Sequence, residues 1–176
     1  TVFTFRLPHF ESYKLHDISA HDMINPLLNT MREFFSREMG EDLLHSSEAE
    51  KKNRLQLYKT TAISDIKGIV RSRLILSVDE ELGNQLVHKM ILDEIEPETE
   101  GLYAEDVLAE CANIILGNSI KHFPEIQELI MFEAPVTLSS ERTVIKYLNS
   151  DIWTCDMLFT TGKASMSLII QDKLLR

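Results

Sequence analysis

Residues 108–120, LAECANIILGNSI, set a carboxylate and a carboxamide three residues apart, at Glu110 and Asn113. A carboxylate pairs with cations, whereas a carboxamide offers one acceptor and two donors and never ionises. At about 100° of turn per helical residue, Asp106, Glu110, Asn113 and Gly117 fall on one narrow strip. Leu108, Cys111, Ala112 and Ile115 fall on the far side, where they can anchor a helix to a core, so the strip is expected to face outward. Spacing alone leaves two readings open. Asp, Glu and Asn on an exposed face need no function. A mid-helix Gly117, however, costs about 1 kcal/mol relative to Ala and leaves the flat spot that close approach of another surface requires.

The elements that position this strip follow from periodicity. Asn25 before Pro26 predicts a helix start, and Leu27, Leu28, Met31, Phe34 and Phe35 share one face up to Gly40. Residues 41–54 read as a polar connector, and EKKNR at 50–54 as a solvated loop. LQLYKTTAI and GIVRSRLILSV predict two strands separated by SDIK; in the second, Val70, Leu74 and Leu76 face one way and Arg71 and Arg73 the other. Asp79 is placed to cap a second helix, residues 80–95, with EPETEG as the linker after it. Gly101 precedes a third helix from Leu102 to about Phe123, which Pro124 ends.

Beyond Pro124 the period changes from 3.6 to 2. Ile130, Phe132, Ala134 and Val136 alternate, then Trp153, Cys155, Met157 and Phe159, then Ala164, Met166, Leu168 and Ile170. TTGK at 160–163 predicts a tight hairpin in which Gly162 takes a positive φ. The order predicts an α/β (α+β) domain, a mainly antiparallel sheet covered by helices. The domain is expected over 22–176, with residues 1–21 as an N-terminal arm or linker. The chain begins at Thr1, which fits removal of an upstream segment.

Composition narrows the function classes. At 176 residues the chain fits one domain with a sizeable core. Eighteen basic against twenty-eight acidic residues give a formal charge of -10, which argues against nucleic acid as a partner. Cys111 and Cys155 sit in apolar periodic segments, as buried free thiols do, and imply a reducing compartment. No stretch is apolar enough to cross a bilayer and no signal pattern opens the chain, so no membrane association and a cytoplasmic location are expected. The six His lack a metal-ligand spacing and the seven Met read as core filler. No Cys-x-x-Cys, phosphate loop or Gly-x-Ser-x-Gly elbow is present.

DVLAECANIILGN, residues 106–118, resembles the signature of the CheC/CheX family of chemotaxis phosphatases: Asp or Ser, three residues, Glu, two residues, Asn. The family pattern places a Pro beyond the helix, as Pro135 stands in FEAPVTL. The leading helix, the Gly-opened strand GIVRSRLILSV and a helix containing HKMI ahead of the signature helix are also similar. The resemblance spans about residues 22–172, and the single signature copy resembles CheX-like members.

That resemblance implies a CheC-like fold and hydrolysis of the phospho-aspartate of a CheY-like receiver. Asn113 would orient the attacking water and Glu110 would pair with the receiver's active-site Lys. Asp106, where the family also accepts Ser, would contact the partner or only complete the helix surface; the flat spot at Gly117 would lie on the partner-binding strip, and Pro135 would shape the strand end. The protein would need no cofactor of its own, because the receiver supplies Mg²⁺. A homodimer formed through sheet edges is implied as well. The rival reading is a receiver-binding or dimerisation module of the same fold without turnover.

Overall fold

A computed structural model describes residues 19–68, 71–91, 99–123, 130–140 and 143–171. Most of the expected arm, the end of the second predicted helix and the first half of the EPETEG linker lie outside these residues.

Helix α1 (Ala20–Glu33) begins at Ala20 and not at Pro26. The reason is a reciprocal cap: Ser19 Oγ accepts from Asp22 N at 3.2 Å, and the Asp22 carboxylate accepts from Ser19 N at 2.8 Å. Two otherwise orphaned donors are satisfied there, and Pro26 is carried inside the helix. Leu27, Leu28, Met31, Phe34 and Phe35 are all buried, as their shared face predicts. A π-helical turn, Phe34–Glu38, extends α1, and Gly40 at φ +66° turns the chain away.

The expected connector 41–54 instead contains two short strands, β1 (Leu43–Ser46) and β2 (Glu50–Lys52), so the first part of the basic cluster is strand, while Asn53 and Arg54 remain an exposed bend. Backbone pairing to a neighbouring strand holds both strands, so they need no apolar alternation. After β3 (Leu55–Gln56) come β4 (Thr60–Gly68) and β5 (Ser72–Val78). SDIK, expected to separate two strands, lies inside β4. Its charge is accommodated because Asp65 is the direct cross-strand partner of Arg73, whose Nε lies 2.5 Å from Asp65 Oδ1.

Helix α2 (Glu80–Met90) starts on the predicted cap: Asp79 Oδ1 accepts from Leu82 N at 3.1 Å. Helix α3 (Glu100–Ser119) begins at Glu100, so Gly101 lies in its first turn and does not precede it. A 3₁₀ turn, Ile120–His122, ends it. Then follow β6 (Ile130–Phe132), β7 (Val136–Ser139), β8 (Val144–Ile145), β9 (Asp151–Phe159) and β10 (Lys163–Ile170).

The eight-stranded sheet runs β1-β9-β10-β5-β4-β6, with β2 also on β9 and β7 also on β4, and every pair is antiparallel. This is the expected fold class. One face of β5, β9 and β10, carrying Leu74, Leu76, Cys155, Met157, Ala164, Met166 and Leu168, meets the three helices in the main core. On the other face Ile75, Ile152 and Ile169 pack with Leu55 and Leu57 beneath the β3–β8 ribbon. Five of the seven Met are buried, but Met131 is 63% exposed and is not core filler.

Ile130, Phe132, Ala134 and Val136 do not form one alternating run. Phe132 pairs with Ile66, and Val136 with Ile63, so one extra residue lies between the two pairings on the β6–β7 side. Such a bulge reverses the alternation. Phe132 packs on the helix-side core, whereas Val136 points to the opposite face and is 69% exposed. Pro135, which has no N–H to donate to the ladder, sits in this break.

The β9–β10 hairpin forms as predicted, with Phe159 N donating to Gly162 O at 2.8 Å. Gly162 does not have a positive φ. It is small because α2 comes close: a Cβ there would collide with Asp79 Oδ1 and lie 2.9 Å from Leu82 N.

Candidate functional site

Helix α3 owes its orientation to a continuous apolar stripe. Ala104, Val107, Leu108, Cys111, Ala112, Ile115 and Leu116 recur at spacings of three and four, and all are buried. They pack the helix on α1, α2, β4 and β7. Ser119, buried at the helix end, donates its hydroxyl to Leu116 O at 2.7 Å.

With that stripe fixed against the core, Asp106, Glu110, Asn113 and Gly117 are all exposed. Glu110 and Asn113 are about 5–6 Å apart at Cβ, as any helical pair three residues apart is. Among the described residues neither side chain is held by a hydrogen bond or an ion pair, so both are free to engage another molecule. Among the described residues nothing lies within 4 Å of where a Gly117 Cβ would be, so their packing does not require a glycine there.

The electrostatic character of α3 is one-sided. Its twenty residues include Glu100, Glu105, Asp106 and Glu110 and neither Lys nor Arg. Cys111 lies directly beneath this surface with Sγ 3.5 Å from Met90 Sδ. Burial, reinforced by the Glu110 charge, pushes its thiol up to about 12, so it is an inert core residue and no nucleophile. Cys155 is likewise buried and free.

Among the described residues no group of three or more His, Cys, Asp or Glu is placed to hold a metal ion. No helix there is long and apolar enough to cross a membrane. His88 and His122 are exposed on separate elements. The arrangement that remains is a rigid helix presenting a carboxylate and a carboxamide outward, beside a spot without a side chain.

The family model for the chemotaxis phosphatase CheX matches residues 60–158, more than half the chain, a span that holds α3, β4 and the β6–β7 break. The chain belongs to the CheX family. Solved CheX-like structures share the fold at low identity. A CheX chemotaxis protein from Desulfovibrio desulfuricans is 15% identical, covering 83% of this chain and 97% of its own, with a TM-score of 0.71. A putative chemotaxis protein from Desulfovibrio vulgaris Hildenborough is 16% identical, covering 87% and 99%, with a TM-score of 0.72. The CheX–CheY–BeF₃–Mg²⁺ complex from Borrelia burgdorferi is 16% identical, covering 85% and 97%, with a TM-score of 0.70. No curated protein sequence matches the chain.

Sequence reasoning about this CheX-family chain passed over two exposed apolar residues in the first turn of α3, Leu102 and Tyr103. The available signal was their place on the wheel, where they fall with Asp106 and Glu110 and away from the buried stripe.

Proposed function

We propose that the protein hydrolyses the phospho-aspartate of a CheY-like receiver. The observation that carries this reading is the joint exposure of Glu110 and Asn113, one turn apart on a helix whose other side is sealed in the core. Membership of the chemotaxis phosphatase family supports it, as does a CheX of the same fold having been crystallised with CheY, beryllofluoride and Mg²⁺.

An acyl phosphate is already activated, so the main task is to hold a water in line with phosphorus. Asn113 accepts one water hydrogen at its carboxamide oxygen and aims the lone pair at the phosphoryl group. The new P–O bond forms from water, the bond between phosphorus and the aspartyl oxygen breaks with its electron pair returning to the carboxylate, and the water proton leaves on inorganic phosphate. Glu110 pairs with the receiver's active-site Lys and sets the helix in register. Asp106 and the flat spot at Gly117 contact the partner. Mg²⁺ comes with the receiver substrate, and the phosphatase contributes no metal. The reaction belongs in the cytoplasm with its receiver, and the protein acts as a homodimer joined through a sheet edge, β1–β2 or β6–β7.

A purified CheY-like receiver charged with acetyl phosphate tests this reading. Phosphate release should accelerate when the protein is added at substoichiometric amounts. Tight binding with no acceleration would leave a receiver-binding module in place of an enzyme.

A further inference from the structure

Leu102 and Tyr103 are 74% and 43% exposed, although the apolar residues of the α3 stripe are nearly inaccessible. With Asp106 at zero and about 100° per residue, Leu102 falls near -40° and Tyr103 near 60°. Glu110 falls near 40°, Asn113 near -20° and Gly117 near 20°, so all six share one face at about 100° width. Gly101, just before them, has no atom of the described residues within 4 Å of where its Cβ would be. The outward strip therefore has two chemistries in series: an apolar end at 102–103, and an acidic and amide stretch from 106 to 113.

We infer that Leu102 and Tyr103 are a docking anchor for the receiver, packing into an apolar patch beside its phosphorylation site. This rests on the receiver phosphatase reading above. Tyr103 lies about 10 Å along the axis from Glu110, at 1.5 Å per residue, which puts the anchor outside a pocket that Glu110 and Asn113 enter. Charge selects the occupant. Asp106 and Glu110 lie between the anchor and Asn113, so the matching surface must place cationic groups next to its apolar patch. A receiver site with a Lys and a bound Mg²⁺ does so. A second copy of this chain would set acidic strip against acidic strip, and an anionic lipid surface would repel it. A rigid aromatic with a polar tip, beside an aliphatic side chain, is suited to such an anchor because little conformational freedom is lost on burial. Leu102 and Tyr103 act by positioning and touch no reacting atom.

The test compares wild-type protein with the Leu102→Ser/Tyr103→Ser double variant against a purified CheY-like receiver. Titration calorimetry uses the receiver loaded with beryllofluoride and Mg²⁺; phosphate release uses the same receiver under acetyl phosphate. The variant should bind about tenfold or more weakly and show a matching rise in KM, with kcat within about twofold of wild type. Both residues are exposed, so the melting temperature should hold; if it falls, Leu102→Lys, which keeps a long exposed side chain, should still weaken binding by a similar factor. Unchanged Kd and KM overturn the anchor while leaving the phosphatase reading intact. Wild-type binding without turnover overturns the hydrolytic reading, and the Kd comparison still decides the anchor. Absence of both overturns both. Loss of a dimer in sedimentation with Kd unchanged would assign these residues to a second copy and overturn the anchor.

Discussion

Glu110 and Asn113 stand one turn apart on the solvent face of α3, while Cys111 and Ala112 between them are buried. The helix cannot roll to hide one without exposing core, so the pair is presented as a unit. If Glu110 docks on a receiver Lys, Glu110→Gln keeps its size and removes only its charge. KM for the phosphorylated receiver should rise about tenfold with kcat within about threefold, and its salt dependence should flatten. Steady-state phosphate release at two ionic strengths measures both; a fall in kcat alone would move Glu110 from docking into the chemistry.

Gly117 separates folding from function. Among the described residues nothing lies within 4 Å of its missing Cβ, so Gly117→Ala should stabilise the isolated protein by about 0.5–1 kcal/mol. If the flat spot admits the receiver, the same variant should show a raised KM. Urea unfolding and receiver titration together check this, and a stabilised variant with unchanged KM would remove Gly117 from the partner surface.

Gly162→Ala should act in the opposite direction. A Cβ there runs into Asp79 Oδ1 and lies 2.9 Å from Leu82 N, both at the start of α2. Asp79 also accepts from Lys163 N at 2.8 Å, so the hairpin and the helix cap share one carboxylate and neither can retreat freely. A loss of about 1–3 kcal/mol is expected by urea unfolding.

Asp65 and Arg73 link β4 to β5 on the face away from the helices. The Arg73 hydrogen bonds hold the Asp65 carboxyl below the usual carboxylate range, against a smaller opposing effect of burial. Its folded value lies below its unfolded value of about 3.9, so its contribution is complete above that pH and fades as pH falls through the folded value. Asp65→Asn should therefore cost about 1 kcal/mol at pH 7, since the pair is partly solvated, and progressively less below about pH 4. Unfolding free energies of both proteins across that range decide it; a constant difference would assign the effect to packing.

Long periodic elements were legible in the sequence because burial repeats along them. The α3 stripe from Ala104 to Leu116 and the alternation of β9 and β10 each offer several consistent positions. Local signals were harder to rank. Pro26 suits a helix start, yet the reciprocal cap of Ser19 and Asp22 satisfies more backbone donors and wins. Strands β1 and β2 rest on pairing with β9, a distant segment that local composition cannot reveal. The charge within SDIK looked like a loop until Arg73 stood opposite Asp65. The outward position of Glu110 and Asn113 could be read from the wheel, whereas the meaning of Leu102 and Tyr103 depended on knowing that both are exposed in the folded chain.

The most direct measurement is phosphate release from an acetyl-phosphate-charged CheY-like receiver by wild-type protein and by Asn113→Ala, with calorimetric affinity for the beryllofluoride-loaded receiver measured in parallel. Removing the carboxamide takes away the water's positioning and little contact area, so kcat should fall about a hundredfold or more with Kd within about threefold. Full activity in Asn113→Ala, with the same affinity, would contradict the mechanism.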